Sequence, residues 1–566
     1  MKKILFSSFF LLFFSIALLA QQKVVKNVIV LIPDGTSNAV LPISRWYNGG
    51  APLHLDPYMC GMVRTFCSNA PIGDSAPTSS TYASGVLSKN GYVSTVPPRD
   101  ENDLFPEKMK TFEAYQPAFT VLEAAKLQKK ATGLVTTCEF THATPADFSS
   151  HTPNRGKAYV IGKQIVYNNV DVVLSGGTNY LYKTRDDKED LRKVLQQRGV
   201  QYIEDAQQLN QLKGPKAWGL FASSDLEYDL LRDPAKEPSI SEMTQKAIEL
   251  LSQNENGFFL MVEGSKVDWA AHAHNTKCVI TDFLAFDKAV GAALDFAKKD
   301  GNTAVVILPD HGNGGLNICS PLTNAQGYSK IPLKTLLEPT LKGMAPQQYA
   351  NLATTVIQKE KGNKSSFNTF CTEAEKSLTK ALSGREKDAL KKHYEKICEV
   401  YAIADSNRVV ASRKESISSL FISILNDRSF FGWIAPGHTG EDVFLSVYHP
   451  NQYRPQGVIL NTELNAYLQE IMDISSLETL TRSYFSPLRI SSLKKGDYMD
   501  TTLVDYPVLN IKVGKKQLQI PAYTNTVYQK KGKKSLLDQE LSTIVVYMKE
   551  NKTFYLPESL KKELGY

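Results

Sequence analysis

The sequence lacks several features that would assign it to a specialised class of protein. It has no C-x-x-C pair among its seven cysteines, which argues against a zinc site built from paired thiolates. It has no basic stripe either: the net charge is +7 and the lysines are scattered, so there is no nucleic-acid footprint. Internal repeats and long low-complexity tracts are absent. What remains is a globular chain of 566 residues, 42% of them hydrophobic, long enough for more than one structural unit.

The N-terminus carries the pattern of a secretory signal peptide. Lys2 and Lys3 precede an apolar run, Ile4–Leu19, and the small residue Ala20 follows it. The run is too short for a convincing membrane span, and no later segment approaches a spanning length. No cysteine lies near the end of the run, so a lipid anchor is not indicated there. We expect residues 1–20 to be removed and the protein to be exported, to the periplasm, the cell surface or the medium.

The cysteines offer candidate disulfides, because an exported protein can form them. Closeness in sequence makes Cys60 with Cys67, and Cys371 with Cys398, the plausible pairs. Seven cysteines leave at least one thiol free, and the connectivity does not follow from the sequence alone.

The first 320 residues alternate between short apolar runs and helical segments. The runs are rich in β-branched or aromatic residues and bounded by turn residues, which is typical of parallel strands buried on both faces. They are Val28–Ile32, Ala131–Thr136, Val170–Leu174, Phe258–Val262 and Thr303–Leu308. The apolar spacing predicts a helix over Cys278–Lys299, ended by Gly301. This pattern predicts an α/β fold, a doubly wound and largely parallel sheet with helices on both faces.

Two further regions differ in character from this core. Residues 320–429 are rich in lysine and glutamate and predict a helical insertion lying over the active face. Val443–Tyr448 then predicts a returning strand of the main sheet, followed by a helix over Leu460–Met472. The chain after Leu488 reads as strands and turns. We therefore divide it into a signal peptide (1–20), an α/β domain (21–487) and a small β-rich accessory region (488–566).

Acidic and histidine side chains gather at the ends of the predicted strands, where open α/β sheets collect their ligands. Carboxylates and imidazoles are the ligands that zinc takes in catalytic sites. Each could instead be a turn or surface residue, but their number at strand ends favours a metal cluster. Asp268 and His272 are four apart and would share one helical face. The full set is Asp34, Glu263, Asp268, His272, Asp310, His311 and His438.

Two other motifs favour phosphate chemistry. Asp74-Ser75-Ala76 places a hydroxyl where a helix can start, and a helix N-terminus favours anions. Alone, such a serine is usually only a helix cap. Arg155 follows Thr144 by eleven residues, and its guanidinium is suited to gripping two phosphate oxygens.

Together these motifs resemble those of the alkaline phosphatases, metal-dependent phosphomonoesterases. The resemblance covers roughly residues 24–320 and 430–475 and rests on order, identity and spacing. It implies that Ser75 is the phosphorylated serine and that Arg155 holds the phosphate. It implies one zinc ion held by Asp268, His272 and His438. It implies a second zinc, which activates Ser75, held by Asp34, Asp310 and His311. It implies a magnesium ion held by Asp34, Thr144 and Glu263.

The resemblance also implies small phosphomonoester substrates, and it makes a homodimer possible because homodimers are common in the family. His142 stands where the best-known bacterial pattern has an aspartate, and Trp269 where it has a lysine. These departures bear on metal affinity, phosphate affinity and pH optimum. His151 and His274 match no ligand position, and we interpret both as structural or surface residues.

The same kind of sheet and zinc pair also serves phosphodiesterases, sulfatases and cofactor-independent phosphoglycerate mutases, and a non-catalytic role is a further alternative. A phosphodiesterase of the same superfamily would generally lack the magnesium site, so Glu263 and Thr144 favour monoesters. A sulfatase would need a modifiable residue followed by proline and arginine, and the segment after Ser75 lacks the arginine. A non-catalytic surface protein that binds phosphate or glycan would not need the full metal set.

Overall fold

The computed structural model describes residues 23–106, 112–318, 338, 343–401, 407–429, 431–532 and 534–566. The predicted signal peptide, Cys319 and the first part of the predicted helical insertion lie outside these residues. Within them the chain forms two large sheets and a set of helices that cover the larger sheet and build the insertion.

The larger sheet has ten strands, and nine of them run in the same direction. Val443–Tyr448 is antiparallel to both of its neighbours, and it is the returning strand that the sequence predicts. From edge to edge the strands are Gly457–Leu460, Met59–Arg64, Val443–Tyr448, Thr303–Ile307, Asn27–Ile32, Phe258–Glu263, Ala131–Glu139, Val172–Gly176, Ala217–Leu220 and Gln201–Ile203. The predicted α/β fold class is therefore confirmed.

Side chains of the central strands alternate between two apolar cores, one on each face of the sheet. Val28, Val30 and Ile32 belong to one core, and Ile29 and Leu31 to the other. The covering α-helices are Val40–Tyr47, Ser75–Ser84, Val121–Leu127, Ala143–Ser149, Ala158–Tyr167, Leu191–Gln197, Ile240–Leu251, Lys266–His272, Thr276–Asp300, Asn461–Ile471 and Leu477–Tyr484. Burial on both faces explains why these strands read as continuous apolar runs.

The register of the central strands brings their carboxyl ends to one edge. Ile32 lies opposite Glu263, and Glu263 lies opposite Thr136. Residues that follow these strands in sequence therefore emerge side by side. The short strand pair Gly312–Asn313 and His438–Thr439 adds a later part of the chain to the same edge.

The insertion has its own apolar core, in which the rings of Tyr349 and Phe421 stack with centroids 3.9 Å apart. Asn426 accepts a hydrogen bond from Thr276 Oγ1 (2.8 Å) and donates to the carbonyl of His274 (2.9 Å). This end of the insertion therefore lies beside the segment that follows His272. Its α-helices are Pro346–Lys359, Phe367–Glu375, Gly384–Tyr401 and Asn407–Arg428.

The C-terminal region is an antiparallel sheet of seven strands, as its predicted strand-and-turn texture indicates. Its first strand begins at Ser486, two residues before the predicted boundary. Its apolar side chains join the core on one face of the larger sheet, Leu509 and Phe554 among them. In spatial order the strands are Ser486–Arg489, Thr553–Leu556, Lys534–Met548, Thr524–Lys531, Lys516–Pro521, Val508–Val513 and Tyr498–Asp500, and the helix Glu558–Glu563 follows them in sequence.

Neither of the two predicted disulfides forms in the structure, so these predictions are wrong. Cys60, Cys67, Cys371 and Cys398 are all free thiols. Cys67, Cys371 and Cys398 are buried, and the last two pack in the apolar core of the insertion on the separate helices Phe367–Glu375 and Gly384–Tyr401. Closeness in sequence therefore does not bring these sulfur atoms together.

Candidate active site

Ser75 is the first residue of a fully buried helix, Ser75–Ser84. Asp74 before it is extended (φ −131°), so the chain turns into the helix at the serine. Ser75 Oγ lies 3.4 Å from Asp34 Oδ2 and 3.4 Å from His311 Nε2. The hydroxyl therefore points into the group of carboxylates and imidazoles at the sheet edge.

Asp268, His272 and His438 form one candidate metal site. The two Nε2 atoms of the histidines lie 3.1 Å apart, and Asp268 carboxylate oxygens lie 3.5 and 3.9 Å from them. His272 Nδ1 faces the carbonyl of Pro436 (3.1 Å), and His438 Nδ1 faces the carbonyl of Gly73 (2.8 Å). A carbonyl only accepts, so each Nδ1 carries a proton, and in the neutral rings each Nε2 then carries a lone pair. Two lone pairs facing each other beside a carboxylate fit a cation, because a histidine that binds zinc through one ring nitrogen commonly donates to a carbonyl from the other.

Asp34, Asp310 and His311 form a second group, and all three are fully buried. His311 Nε2 lies 3.5 Å from Asp34 Oδ1 and 3.3 Å from Asp310 Oδ2. Those two carboxylate oxygens have no hydrogen-bond partner. Burial raises the pKa of Asp34 well above its usual range and that of Asp310 to about 6. Buried carboxylates without partners are costly unless a cation compensates them, so the donor set fits a metal ion.

His311 joins the two groups. Burial, and next the charge of His438, lower the pKa of His311 to about 4, so its imidazole is neutral and able to ligate. The rings of His311 and His438 stack with centroids 3.8 Å apart. Ligand atoms of Asp34, Asp268 and His311 all lie within 4.8 Å of one another. The geometry therefore accommodates two neighbouring cations in front of Ser75.

Glu263 and Thr144, the remaining candidate ligands of a third ion, are both fully buried. Glu263 Oε2 accepts a hydrogen bond from Thr136 Oγ1 (2.5 Å), while Glu263 Oε1 and Thr144 Oγ1 are buried without a partner. Burial raises the pKa of Glu263. Unpartnered oxygen atoms in this position suit a hard cation such as magnesium.

Arg155 is held beside the serine by two neighbours. Its Nη1 donates to both carboxylate oxygens of Asp74 (2.8 and 3.0 Å), and its Nη2 donates to His142 Nε2 (3.1 Å). Burial opposes ionisation of Asp74, but Arg155 and His311 outweigh it and lower the pKa of that carboxyl. Asp74 therefore positions the guanidinium next to Ser75.

The two positions that depart from the bacterial pattern are neighbours in space. The rings of His142 and Trp269 meet edge to face, with centroids 5.9 Å apart. Burial, and next the charge of Arg155, lower the pKa of His142 to about 3. His142 is therefore a neutral acceptor for the arginine, where an aspartate would be charged.

The interpretation of the two other histidines as structural agrees with their contacts. His151 is fully buried, with Nε2 3.1 Å from Glu123 Oε1 and Nδ1 2.8 Å from the carbonyl of Ser94. His274 stacks on Trp433 at 4.8 Å between centroids and lies 2.9 Å from a backbone carbonyl. Neither enters the groups around Ser75.

Sequence reasoning missed several residues that support these groups. Asn313 donates from Nδ2 to Asp268 Oδ1 (2.7 Å) and fixes its orientation. Asp74 was recognised only as part of the serine motif, although it holds Arg155. Cys138 lies with His142 and Glu263 in a further group of possible ligands. Asn313 stands two residues after His311, which is the only sequence signal for it.

Gly35 lies so close to Asp268, a candidate ligand together with His272 and His438, that there is no room for a side chain. Its φ is +61°, and an added Cβ would lie 2.2 Å from Asp268 Oδ1. We expect Gly35→Ala to displace Asp268 and to lower turnover by about a hundredfold, as misplaced catalytic groups do. Gly199→Ala is the control, because its φ is +73° with nothing within 4 Å of the added Cβ. Equal turnover of both variants in a steady-state assay would contradict the contact argument.

A largely parallel sheet with carboxylate and imidazole groups at its carboxyl edge, around a serine at a helix N-terminus, is an arrangement typical of metal-using hydrolases. The family model described as Alkaline phosphatase matches residues 25–474, and the chain belongs to the alkaline phosphatase family. As a member of that family it is a phosphomonoester hydrolase.

Individual relatives agree with this assignment. Alkaline phosphatase 4 of Bacillus subtilis (strain 168) is 32% identical over 463 residues, which cover 78% of this chain and 87% of that protein. The cold-active alkaline phosphatase of Shewanella sp. has the same fold, with a TM-score of 0.64 and 24% identity over 79% of this chain and 99% of that one. A histidine-to-aspartate variant of the alkaline phosphatase from the Antarctic bacterium TAB5, solved with Mg bound in its M3 site, gives a TM-score of 0.53 and 21% identity, over 80% of this chain and 99% of that one.

Proposed function

We propose that this enzyme hydrolyses small phosphomonoesters through a phosphoserine at Ser75, with two zinc ions and one magnesium ion. The observation that carries the proposal is the surroundings of Ser75 Oγ. The oxygen is 3.4 Å from both Asp34 and His311, whose group contains buried carboxylate oxygens without partners. Cations there would compensate the buried carboxylates and would favour the alkoxide of the serine.

The ligand sets follow the groups around the serine. One zinc ion would be held by Asp268, His272 and His438. The second would be held by Asp34, Asp310, His311 and, during catalysis, Ser75. The magnesium ion would be held by Asp34, Thr144 and Glu263, and Mg is the ion in the TAB5 variant. When bound, the ions supply positive charge that stabilises both the attacking and the leaving oxygen.

The chain's own residues would then perform the displacement. Ser75 Oγ gives its proton to solvent and attacks phosphorus, the bond from phosphorus to the ester oxygen breaks, and that oxygen takes a proton from solvent and leaves as the alcohol. Arg155, held by Asp74, grips two phosphate oxygens, and the free N–H groups at the start of the Ser75–Ser84 helix face the same charge. Water then cleaves the phosphoserine and releases inorganic phosphate.

Comparing three substrates tests this function. The zinc- and magnesium-loaded protein should hydrolyse a chromogenic phosphomonoester much faster than the matching diester or sulfate ester. A diester preference would favour the related phosphodiesterases. Absence of turnover with all three, in a protein that binds its metals, would favour a non-catalytic phosphate- or glycan-binding role.

Glu263 is expected to separate monoester from diester hydrolysis. Glu263→Gln removes the charge that holds the third ion, so monoester turnover should fall at least about tenfold, with a smaller loss for the diester. Asp171→Asn is a matched control, because Asp171 is a partly buried carboxyl that lies away from the site. It accepts from Thr132 N (2.9 Å) at the start of the strand Ala131–Glu139, whereas Glu263 contacts Thr136 near the other end of that strand. Equal losses for both ester classes in Glu263→Gln would show that the third site does not discriminate.

We also propose that the enzyme is exported and that the C-terminal sheet is an accessory element. Among the described residues, no helix combines the length and apolar character that crossing a membrane requires. Mass spectrometry of the mature N-terminus should find cleavage after Ala20.

A chain ending at Pro487 should keep its turnover per active site but unfold at a lower temperature, because the C-terminal sheet shares the core of the main sheet. Loss of activity in a folded, metal-loaded truncated chain would assign the sheet a part in the site.

A further inference from the structure

Cys138 borders the third site, and the proposed magnesium ligation does not use it. It lies on the strand Ala131–Glu139 and is fully buried. Its Sγ is 3.4 Å from Glu263 Oε2 and 3.0 Å from Thr136 Oγ1. A thiol in contact with the carboxylate that is proposed to bind the third ion adds a soft donor beside the oxygen ligands.

The surrounding atoms point to a ligand rather than to simple packing. Ligand atoms of Cys138, His142 and Glu263 lie within 4.8 Å of one another. Glu263 Oε1 and His142 Nδ1 are buried, and neither has a hydrogen-bond partner. Glu263 is a fully buried residue, so water at the protein surface does not satisfy its carboxylate oxygen.

The spacing of the thiol and the carboxylate suits zinc. Zn–S and Zn–O bonds of about 2.3 and 2.0 Å, set at the tetrahedral angle, place sulfur and oxygen about 3.5 Å apart. The observed separation of Cys138 Sγ from Glu263 Oε2 is 3.4 Å. Magnesium takes hard oxygen ligands, whereas thiolate and imidazole ligands select softer metals such as zinc.

We propose that the third site of this chain is a mixed site in which Cys138, with Glu263 and His142, binds zinc in preference to magnesium. The proposal rests on the proposed function for Ser75 and its two zinc ions, and it replaces magnesium by zinc as the ion that Glu263 holds. Zinc binding forms a Zn–S bond and breaks the S–H bond, and the proton leaves to solvent. If His142 held the ion through Nδ1, its ring proton would lie on Nε2, and Arg155 Nη2, which now donates to Nε2, would be free to bind phosphate.

Cobalt substitution tests the thiolate directly, without an activity assay. The metal-free full chain is titrated with Co²⁺ and followed in the near ultraviolet, where a thiolate bound to cobalt gives a charge-transfer band. We expect the band with the third equivalent in the wild type and in Cys278→Ala, and its loss in Cys138→Ala and Cys138→Ser. Cys278 is the matched control, because it is equally buried but lies on the helix Thr276–Asp300, outside the ligand groups.

Metal content after equilibration with equal Zn²⁺ and Mg²⁺ gives a second readout. The wild type should retain three zinc ions per chain, and Cys138→Ala should retain two zinc ions and one magnesium ion. Two zinc ions and one magnesium ion in the wild type, with no band on cobalt loading, overturn the inference and leave the proposed function standing. Failure of the wild type to retain even two ions overturns the proposed function itself.

Discussion

Ser75→Ala is expected to lose at least about a thousandfold in phosphomonoester turnover, a size typical of removing a nucleophile. The serine oxygen is the only part of that side chain that faces Asp34 and His311, at 3.4 Å from each. Alanine leaves the helix start intact, because the backbone N–H groups and the extended Asp74 remain. Residual turnover would come from a water molecule that takes the place of the serine oxygen.

Ser79→Ala on the same helix is the matched control. Ser79 is fully buried and its Oγ has no hydrogen-bond partner, so removing it should leave both turnover and stability nearly unchanged. Acid quenching during turnover, followed by peptide mapping, should locate the phosphoryl group on Ser75. Phosphate on Thr78, or wild-type turnover in Ser75→Ala, would reject the assignment of the nucleophile.

Local sequence patterns were enough to predict most of the main sheet. Strand Val443–Tyr448 has the predicted bounds, and the predicted helix Cys278–Lys299 differs by two residues at its start and one at its end. Buried parallel strands are apolar along their whole length, and helix ends carry Asn275 as a cap and Gly301 in a left-handed conformation. These are local patterns that can be recognised in a single sequence.

The candidate ligands were predictable for a different reason. Parallel strands end at one edge, so residues that follow different strands converge there, as Asp34, Glu263 and Asp310 do. The resemblance to the family then assigned them to ions. No local pattern predicts the side-chain contacts that position the other residues of the site. Arg155 and Asp74, for example, are 81 residues apart in sequence.

Cysteine shows where sequence reasoning failed in both directions. Closeness in sequence predicted the pair Cys371 and Cys398, yet both are free thiols in the apolar core of the insertion. Cys138 carried no motif and was not singled out, yet its sulfur contacts Glu263 across 125 residues of sequence. Only the strand register, which aligns Thr136 with Glu263, reveals that contact.

Removal of the metal ions is expected to abolish turnover and to destabilise the fold together. Without cations, the Nε2 lone pairs of His272 and His438 face each other at 3.1 Å beside Asp268. Ions that bind only the folded state stabilise it by mass action, by about 4 kcal/mol for each ion at a thousandfold excess over its Kd. Chelation should therefore lower the calorimetric unfolding temperature by several degrees. Zinc should restore both turnover and stability, and magnesium alone should restore neither in full.

Two histidines close together in sequence, one a proposed zinc ligand and one not, allow the effect of metal binding to be separated from that of packing. His272→Ala should remove one ligand, reduce the zinc content by one ion per chain and lose most of the turnover. His274→Ala, two residues away, removes a ring that stacks on Trp433 and should keep the full zinc content. The two variants lose side chains of the same type and size, so a difference in zinc content reflects coordination rather than packing. Equal zinc content in both, or full turnover of a protein shown to be free of metal, would show that these groups do not hold catalytic ions.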